Sequence, residues 1–316
     1  MEHIAFPEIQ QFRNTIKLVR ERAFDLNILP PTLTFVGTVK LHGTNASVVF
    51  PAVGGYYCQS RSQIITPEND NAGFARWVSE NIDKFARFLS AGVVVYGEWC
   101  GQGIQKGVAI SQVPKNFIVF AVQGIETGIY MNHYRIRACT EFLQYSIYDY
   151  PYWELDIDFN RPEDIQNKLV ELTNAVEAEC PVAKAFGVSG VGEGIVWWPM
   201  NNPNFNVHGL AFKVKGEKHS ETKVKTLAAV DVEKLATIRE LVDSVLTEHR
   251  LEKRIDALKE QGLEVDIKNT GAFLKLVGTD VYKEEKDTIE ASGIPVGDVM
   301  GAVQKKAKQW WMEKVK

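Results

Sequence analysis

Six charged residues stand out because each adjoins an apolar, strand-like run: Lys40, Arg61, Glu98, Glu193, Lys213 and Lys215. Most have a glycine or an aromatic residue close by. Taken singly, a lone carboxylate is usually a surface charge, and a Lys-x-Lys pair is usually a solvated strand face. Taken together, they can converge on one cleft between sheets. Several cations facing two carboxylates suit a nucleoside triphosphate with a divalent metal. Lys40 has the placement of a nucleophile, since a lysine where a buried strand opens into a turn can lose part of its solvation.

The elements that must hold these groups can be read from the residue pattern. Thr34–Phe50 is strand, short turn, strand, with Lys40-Leu41-His42-Gly43-Thr44-Asn45 at the turn. Gly43 permits a sharp bend or close backbone approach, and Asn45 suits a turn. The bland reading of Lys40 is a strand-end lysine beside a tight hairpin. Further strands are predicted at 55–61, 93–99, 117–122, 190–198 and 209–215. Helical spacing marks 8–25, 163–179 and a single helix carrying Phe74, Trp77, Val78, Phe85 and Phe88. From about residue 226 the texture becomes helical. Asp231 is the expected N-cap, Leu235, Ile238, Val242 and Val245 form a stripe that Leu251, Ile255 and Leu258 continue, and Gly262 is a C-cap. Residues 271–291 and 298–316 are again helix-like. The expected architecture is α+β: antiparallel sheets with flanking helices over 1–225, then an all-helical domain over 226–316.

Composition narrows the class. The chain has 316 residues, 45% of them hydrophobic and 24% charged, with a net charge of −4. A sizeable core is available, and nucleic-acid contact would need local basic patches. Residues 213–225 carry a net +3 and residues 305–316 a net +4. Cys58, Cys100, Cys139 and Cys180 show no zinc spacing and read as free thiols of a reducing compartment. No signal-peptide pattern opens the sequence and no apolar run reaches membrane-spanning length, so a cytoplasmic location and no membrane partner are expected. His3, His133, His208 and His249 lack metal-ligand spacing and read as surface or core histidines. His219 is a weak candidate for nucleic-acid contact, and Trp197-Trp198 and Trp310-Trp311 read as packing residues.

The motif order carries more than any single motif. Lys40-Leu-His-Gly-Thr-Asn45 resembles motif I of the covalent nucleotidyltransferases, the ATP-dependent ligases and capping enzymes. Its histidine form resembles the RNA ligase 2 family. Ser60-Arg61 resembles the motif with an essential arginine. Tyr96-Gly-Glu-Trp99 resembles motif III, with the family's loop following at Gly101–Lys106. Phe117–Ala121 resembles motif IIIa, Glu193-Gly-Ile-Val196 motif IV, and Phe212-Lys-Val-Lys215 motif V. The resemblance spans roughly residues 35–220.

That resemblance implies an ATP-grasp-like ligase body and an ATP-dependent RNA ligase acting with Mg²⁺ or Mn²⁺. Lys40 would accept AMP from ATP. Leu41, His42 and Asn45 would line the nucleotide and phosphate pocket, and Arg61 would contact phosphate or ribose. Glu98 would hold the ribose, Phe120 would stack on adenine, and Glu193 would position the metal. Lys213 and Lys215 would neutralise the phosphates. The partners implied are RNA ends, met by a protein expected to act as a monomer. Two positions depart from the pattern: Ala121 replaces the acidic residue that usually follows the motif IIIa aromatic, and Val39 precedes Lys40 where a phage member of the RNA ligase 2 family is acidic. Rival readings are a DNA ligase or capping-type enzyme, nucleotidyl transfer to a protein or small molecule, and a non-catalytic nucleic-acid-binding module. An OB barrel after motif V would favour the first, but the tail reads as helices.

Overall fold

The computed structural model describes residues 1–140, 145–200, 209–220 and 238–315. The expected N-cap Asp231, together with Leu235, His208 and residues 223 and 225 of a basic cluster, lies outside them. The chain forms two compact units, Met1–Gln10 with Asn14–Gly216, and Gln11–Arg13 with Glu217–Lys316.

Two five-stranded sheets make up the first unit. One follows the order β1 (Gln10–Gln11), β10 (Phe212–Lys215), β9 (Gly194–Pro199), β2 (Thr32–Lys40), β8 (Tyr152–Asp158). The other follows β5 (Ile64–Ile65), β4 (Tyr57–Ser60), β3 (Thr44–Phe50), β6 (Val93–Cys100), β7 (Asn116–Gly124). The β2–β8, β2–β9, β9–β10, β3–β4, β3–β6 and β6–β7 registers are all antiparallel. Strand β6, between β3 and β7, reads VVVYGEWC and is buried along nearly its whole length, as a strand covered on both faces must be.

The turn after Lys40 corrects the hairpin reading. β2 pairs with β8 and β9, whereas β3 pairs with β4 and β6, so Leu41–Gly43 passes from one sheet to the other. A hairpin register would have placed Lys40 beside its own neighbour on β3. The observed crossing places it at the edge of an inter-sheet cleft.

The outer face of the second sheet is covered by aromatic packing. Phe50 meets Phe85 and Phe88 at 5.8 Å, and Phe74 meets Phe117 at 4.9 Å. The single helix expected here is broken into α2 (Phe74–Glu80) and a 3-10 turn over Ile82–Phe88. Asn81 makes the break, with its side-chain amide donating to the Trp77 carbonyl and its backbone at φ −126°. Such side-chain capture of the backbone competes with continued helix. The helix expected at 163–179 is α4 (Gln166–Ala178), preceded by one 3-10 turn. Strand β8 and helix α3 (His133–Thr140) lack a clear sequence signal.

Helices make up most of the described residues of the second unit: α6 (Ile238–Val245), α7 (Glu248–Glu260), α8 (Thr270–Ala291) and α9 (Val296–Lys314). The stripe expected to run on from Val245 to Leu258 is interrupted, because Thr247 takes an extended backbone and its hydroxyl accepts from the Arg250 amide as the N-cap of α7. Leu241, Val245, Leu258, Phe273, Val277, Val303 and Trp311 form its core, with Phe273 stacked on Trp311 at 4.3 Å. Gly262 ends α7 at φ +75°, and its amide donates to the Lys259 carbonyl, as the C-cap reading requires. Arg250 is buried but paired, its guanidinium donating to Glu285 at 3.0 Å beside Asp280 at 3.1 Å.

Candidate active site

The motif I turn is locked by its neighbours. The Gly43 amide donates to Glu98 Oε1 at 2.9 Å, and Asn45 lies opposite Glu98 in the β3–β6 register. A Cβ at Gly43 would stand 2.4 Å from the Trp99 carbonyl oxygen, so only glycine lets the turn approach β6 this closely. Gln105, from the glycine-punctuated loop, donates to the Gly43 carbonyl at 3.4 Å.

Glu193 is the electrostatic centre. Its side chain is fully buried, and Lys40 Nζ donates to Oε2 at 2.8 Å. His42 Nδ1 lies 3.3 Å from the same oxygen, and Lys215 Nζ lies 3.6 Å from Oε1. The sheet register explains the convergence. Gly194 on β9 pairs with Lys40 on one side and Lys215 on the other. Its φ of +152° and a would-be Cβ contact of 2.2 Å to the Val214 carbonyl make glycine obligatory there. A buried carboxylate among cations is the arrangement that offsets its loss of hydration.

Beside this cluster a cavity of about 320 Å³ lies between the sheets. Its polar wall includes Lys40, Asn45, Arg61, Glu98 and Lys213, and its apolar wall includes Leu41, Val196, Trp198 and Phe120. Ile118 and Phe120, two apart on β7, line the cavity by simple alternation, and a β-bulge brings Ala121 in beside them. Tyr96 pairs with Ala121 and Gly97 with Val119, leaving Phe120 as the extra residue. A bulge resets the alternation, so Ala121 lines the cavity as Phe120 does. The carboxylate missing at Ala121 would therefore have faced this space.

The expected residues thus divide into two adjoining groups. Lys40, Leu41, Asn45, Arg61, Glu98, Phe120 and Lys213 form cavity wall. His42, Glu193 and Lys215 form the ion cluster that shares Lys40. Trp198, expected only to pack, lines the cavity, and its alternation with Val196 along β9 was the available signal. Phe6, Tyr130, His133 and Tyr148 also line it and carried none. Burial pushes the Tyr130 and Tyr148 phenols up, so both stay neutral hydroxyls at ordinary pH. Burial pushes His133 down against the opposing pull of Glu154, 3.5 Å away.

Fold and site together define a two-sheet α+β protein whose inter-sheet cleft presents a lysine amine among paired charges. The chain belongs to the RNA ligase family, whose model matches residues 33–215. Among solved structures it is similar to a Naegleria gruberi RNA ligase with PPi, at 17% identity and a TM-score of 0.47. That likeness covers 68% of this chain and 56% of the other. A mutant of the same ligase with ATP and Mn matches at 16% identity and a TM-score of 0.49, over 68% of this chain and 57% of the other. The chain thus spans a little over half the length of these ligases. Comparison with curated proteins gives no match. Among the described residues, no helix is long and apolar enough to cross a membrane.

Proposed function

We propose that this chain is an ATP-dependent RNA ligase that joins 3′-hydroxyl and 5′-phosphate ends through a lysyl-AMP intermediate. The observation that carries the proposal is Lys40 Nζ at the edge of a nucleotide-sized cavity, oriented by buried Glu193 at 2.8 Å. In the first step the Lys40 amine nitrogen, its extra proton released, attacks the α-phosphorus of ATP. The N–P bond forms, the α–β bridging P–O bond breaks, and pyrophosphate leaves with the electron pair. Next an RNA 5′-phosphate oxygen attacks the same phosphorus, and Lys40 departs as an amine. The 3′-hydroxyl then attacks the activated 5′-phosphorus and AMP leaves. Splitting the reaction this way gives the final attack a good leaving group.

Lys213 and Arg61 would neutralise phosphate or ribose oxygens from the cavity wall, and Lys215 would do so from the ion cluster. Glu98 would accept from the ribose hydroxyls, Phe120 would stack on the adenine, and Leu41, His42 and Asn45 would complete the pocket. Fixed cations aimed where charge develops supply preorganised electrostatic stabilisation. Among the described residues there is no cluster of three or more His, Cys, Asp or Glu side chains fit to hold a metal ion alone. One carboxylate suits Mg²⁺ or Mn²⁺ when substrate phosphates and waters complete the shell, and Glu193 is the residue that would hold it. When bound, the cation supplies further neutralisation of phosphoryl charge.

We assign residues 1–225 to adenylyl transfer and the helical remainder to engaging RNA ends. The test is α-labelled ATP with Mg²⁺ or Mn²⁺ on a denaturing gel, with Lys40→Ala and α-labelled GTP beside it, followed by a chase with nicked RNA. A covalent label specific for ATP, lost in Lys40→Ala and discharged onto RNA 5′-phosphate ends, is the expected result. No label on folded protein free of prior AMP refutes the ligase reading, and discharge only onto DNA redirects the substrate. Full nick sealing by a chain truncated near residue 225 removes the helical domain from the mechanism.

A further inference from the structure

The stretch Glu2–Phe6 has no role in any motif, yet it is tied to the second sheet by a regular pattern. Tyr57, Gln59 and Arg61 alternate along β4 and its end, so period two puts them on one face. Each holds the backbone of every second residue of the segment. The Tyr57 hydroxyl donates to the Glu2 carbonyl at 2.7 Å. The buried Gln59 amide accepts from Ile4 N at 3.0 Å and donates to the Ile4 carbonyl. Arg61 Nη1 donates to the Phe6 carbonyl at 3.0 Å. The segment therefore lies parallel to β4 as a strap.

At the end of the strap, the Phe6 ring is 7% exposed and forms part of the cavity wall. It meets Phe120 edge-on at 4.9 Å, Trp198 at 5.6 Å and Tyr96 at 5.0 Å. Phe120 is only half-buried and sits on a bulge, where the ladder around it is interrupted. An edge-to-face neighbour fixes a ring whose backbone support is weakened. The same strap holds the guanidinium that reaches the cavity, because the Phe6 carbonyl engages Arg61.

We propose that the Glu2–Phe6 strap is part of the nucleotide site, with Phe6 as a positioning residue that holds the Phe120 ring from its edge and, through its carbonyl, the Arg61 guanidinium. This rests on the ligase reading above. The strap orders the base-binding wall before the nucleotide arrives and takes no part in the chemistry at Lys40. Its loss is felt in ATP affinity and leaves the rate at saturating ATP intact.

The experiment measures single-turnover labelling of Lys40 across a range of ATP concentrations for wild type, Phe6→Ala and Phe6→Leu. Thermal melts confirm that each is folded. Phe6→Ala is expected to raise the half-saturating ATP concentration by about tenfold, the upper end for one aromatic pair, with the saturating rate within about twofold. Phe6→Leu keeps the apolar volume without the ring edge and falls between the two. Hydrogen exchange on wild type adds a readout that needs no variant: ATP is expected to slow exchange of the Ile4 and Phe6 amides. An unchanged half-saturating concentration in folded Phe6→Ala, or a saturating rate that falls in step with affinity, overturns the proposal. If Phe6→Ala does not fold, Phe6→Leu and the exchange measurement decide, and absence of ATP protection overturns it. No labelling of wild type is the separate outcome that removes the ligase reading and the strap's role with it.

Discussion

Replacing Glu193 by glutamine removes one charge from the centre of the site while preserving its size. In the native cluster the carboxylate holds Lys40 at 2.8 Å, His42 at 3.3 Å and Lys215 at 3.6 Å. At an effective dielectric constant of about 20, the closest pair alone attracts by about 6 kcal/mol. Desolvation of a buried carboxylate offsets several kcal/mol of that, and the Lys40 and Lys215 side chains remain 22% and 12% exposed. We therefore expect Glu193→Gln to lose only about 1–2 kcal/mol of stability, a shift of roughly 2–8 °C in melting temperature. The kinetic effect should be far larger, because Lys40 loses its orienting acceptor and the cations lose their shared anchor. Labelling of Lys40 from ATP should slow by about 10²–10³-fold, the scale of removing one preorganised electrostatic group. Single-turnover labelling and thermal melts on the same preparations measure both. Wild-type labelling together with an unshifted melt would refute the view that buried Glu193 organises the amine.

Lys40→Ala should abolish covalent labelling and cost about 1–3 kcal/mol, because buried Glu193 loses its nearest cation and keeps Lys215; a melt beside the gel checks this. Gly43→Ala drives a Cβ to within 2.4 Å of the Trp99 carbonyl, so denaturant unfolding should show a loss of about 1–3 kcal/mol and labelling should fall with it. Burial pushes the Cys58 thiol up to about 12, and Cys100 and Cys180 upward as well; native protein should resist iodoacetamide at these three at neutral pH and react once unfolded, as read by mass spectrometry. Burial lowers the folded-state pKa of His133 below its usual 6.5, so its contribution to stability is full above that value. The contribution is lost as pH falls, and His133→Phe should flatten the dependence of the melt between pH 7 and 5.

Local sequence determined the chemistry-bearing residues and the elements that carry them. Lys40, Glu98, Lys213 and Lys215 stand at or near strand ends because apolar runs stop there, and runs of this kind are visible over a few residues. The C-terminal helices were legible for the same reason, through apolar stripes at helical period and the C-cap glycine Gly262. Tertiary structure decided how those pieces meet. Whether β2 turns back on β3 or crosses to another sheet depends on pairing partners more than a hundred residues away, β8 and β9, and local periodicity holds no information about them. Simple alternation along Phe117–Ala121 would separate Phe120 and Ala121 onto opposite faces; one inserted residue changed that parity and put both in the cavity. Gly194 joins Lys40 to Lys215 only through register across three strands. Phe6 enters the wall through hydrogen bonds from Tyr57, Gln59 and Arg61 to an aperiodic backbone, and such a segment leaves no pattern in its own residues. The sequence specifies side chains and local periods, while convergence on one cleft is set by pairings between distant strands.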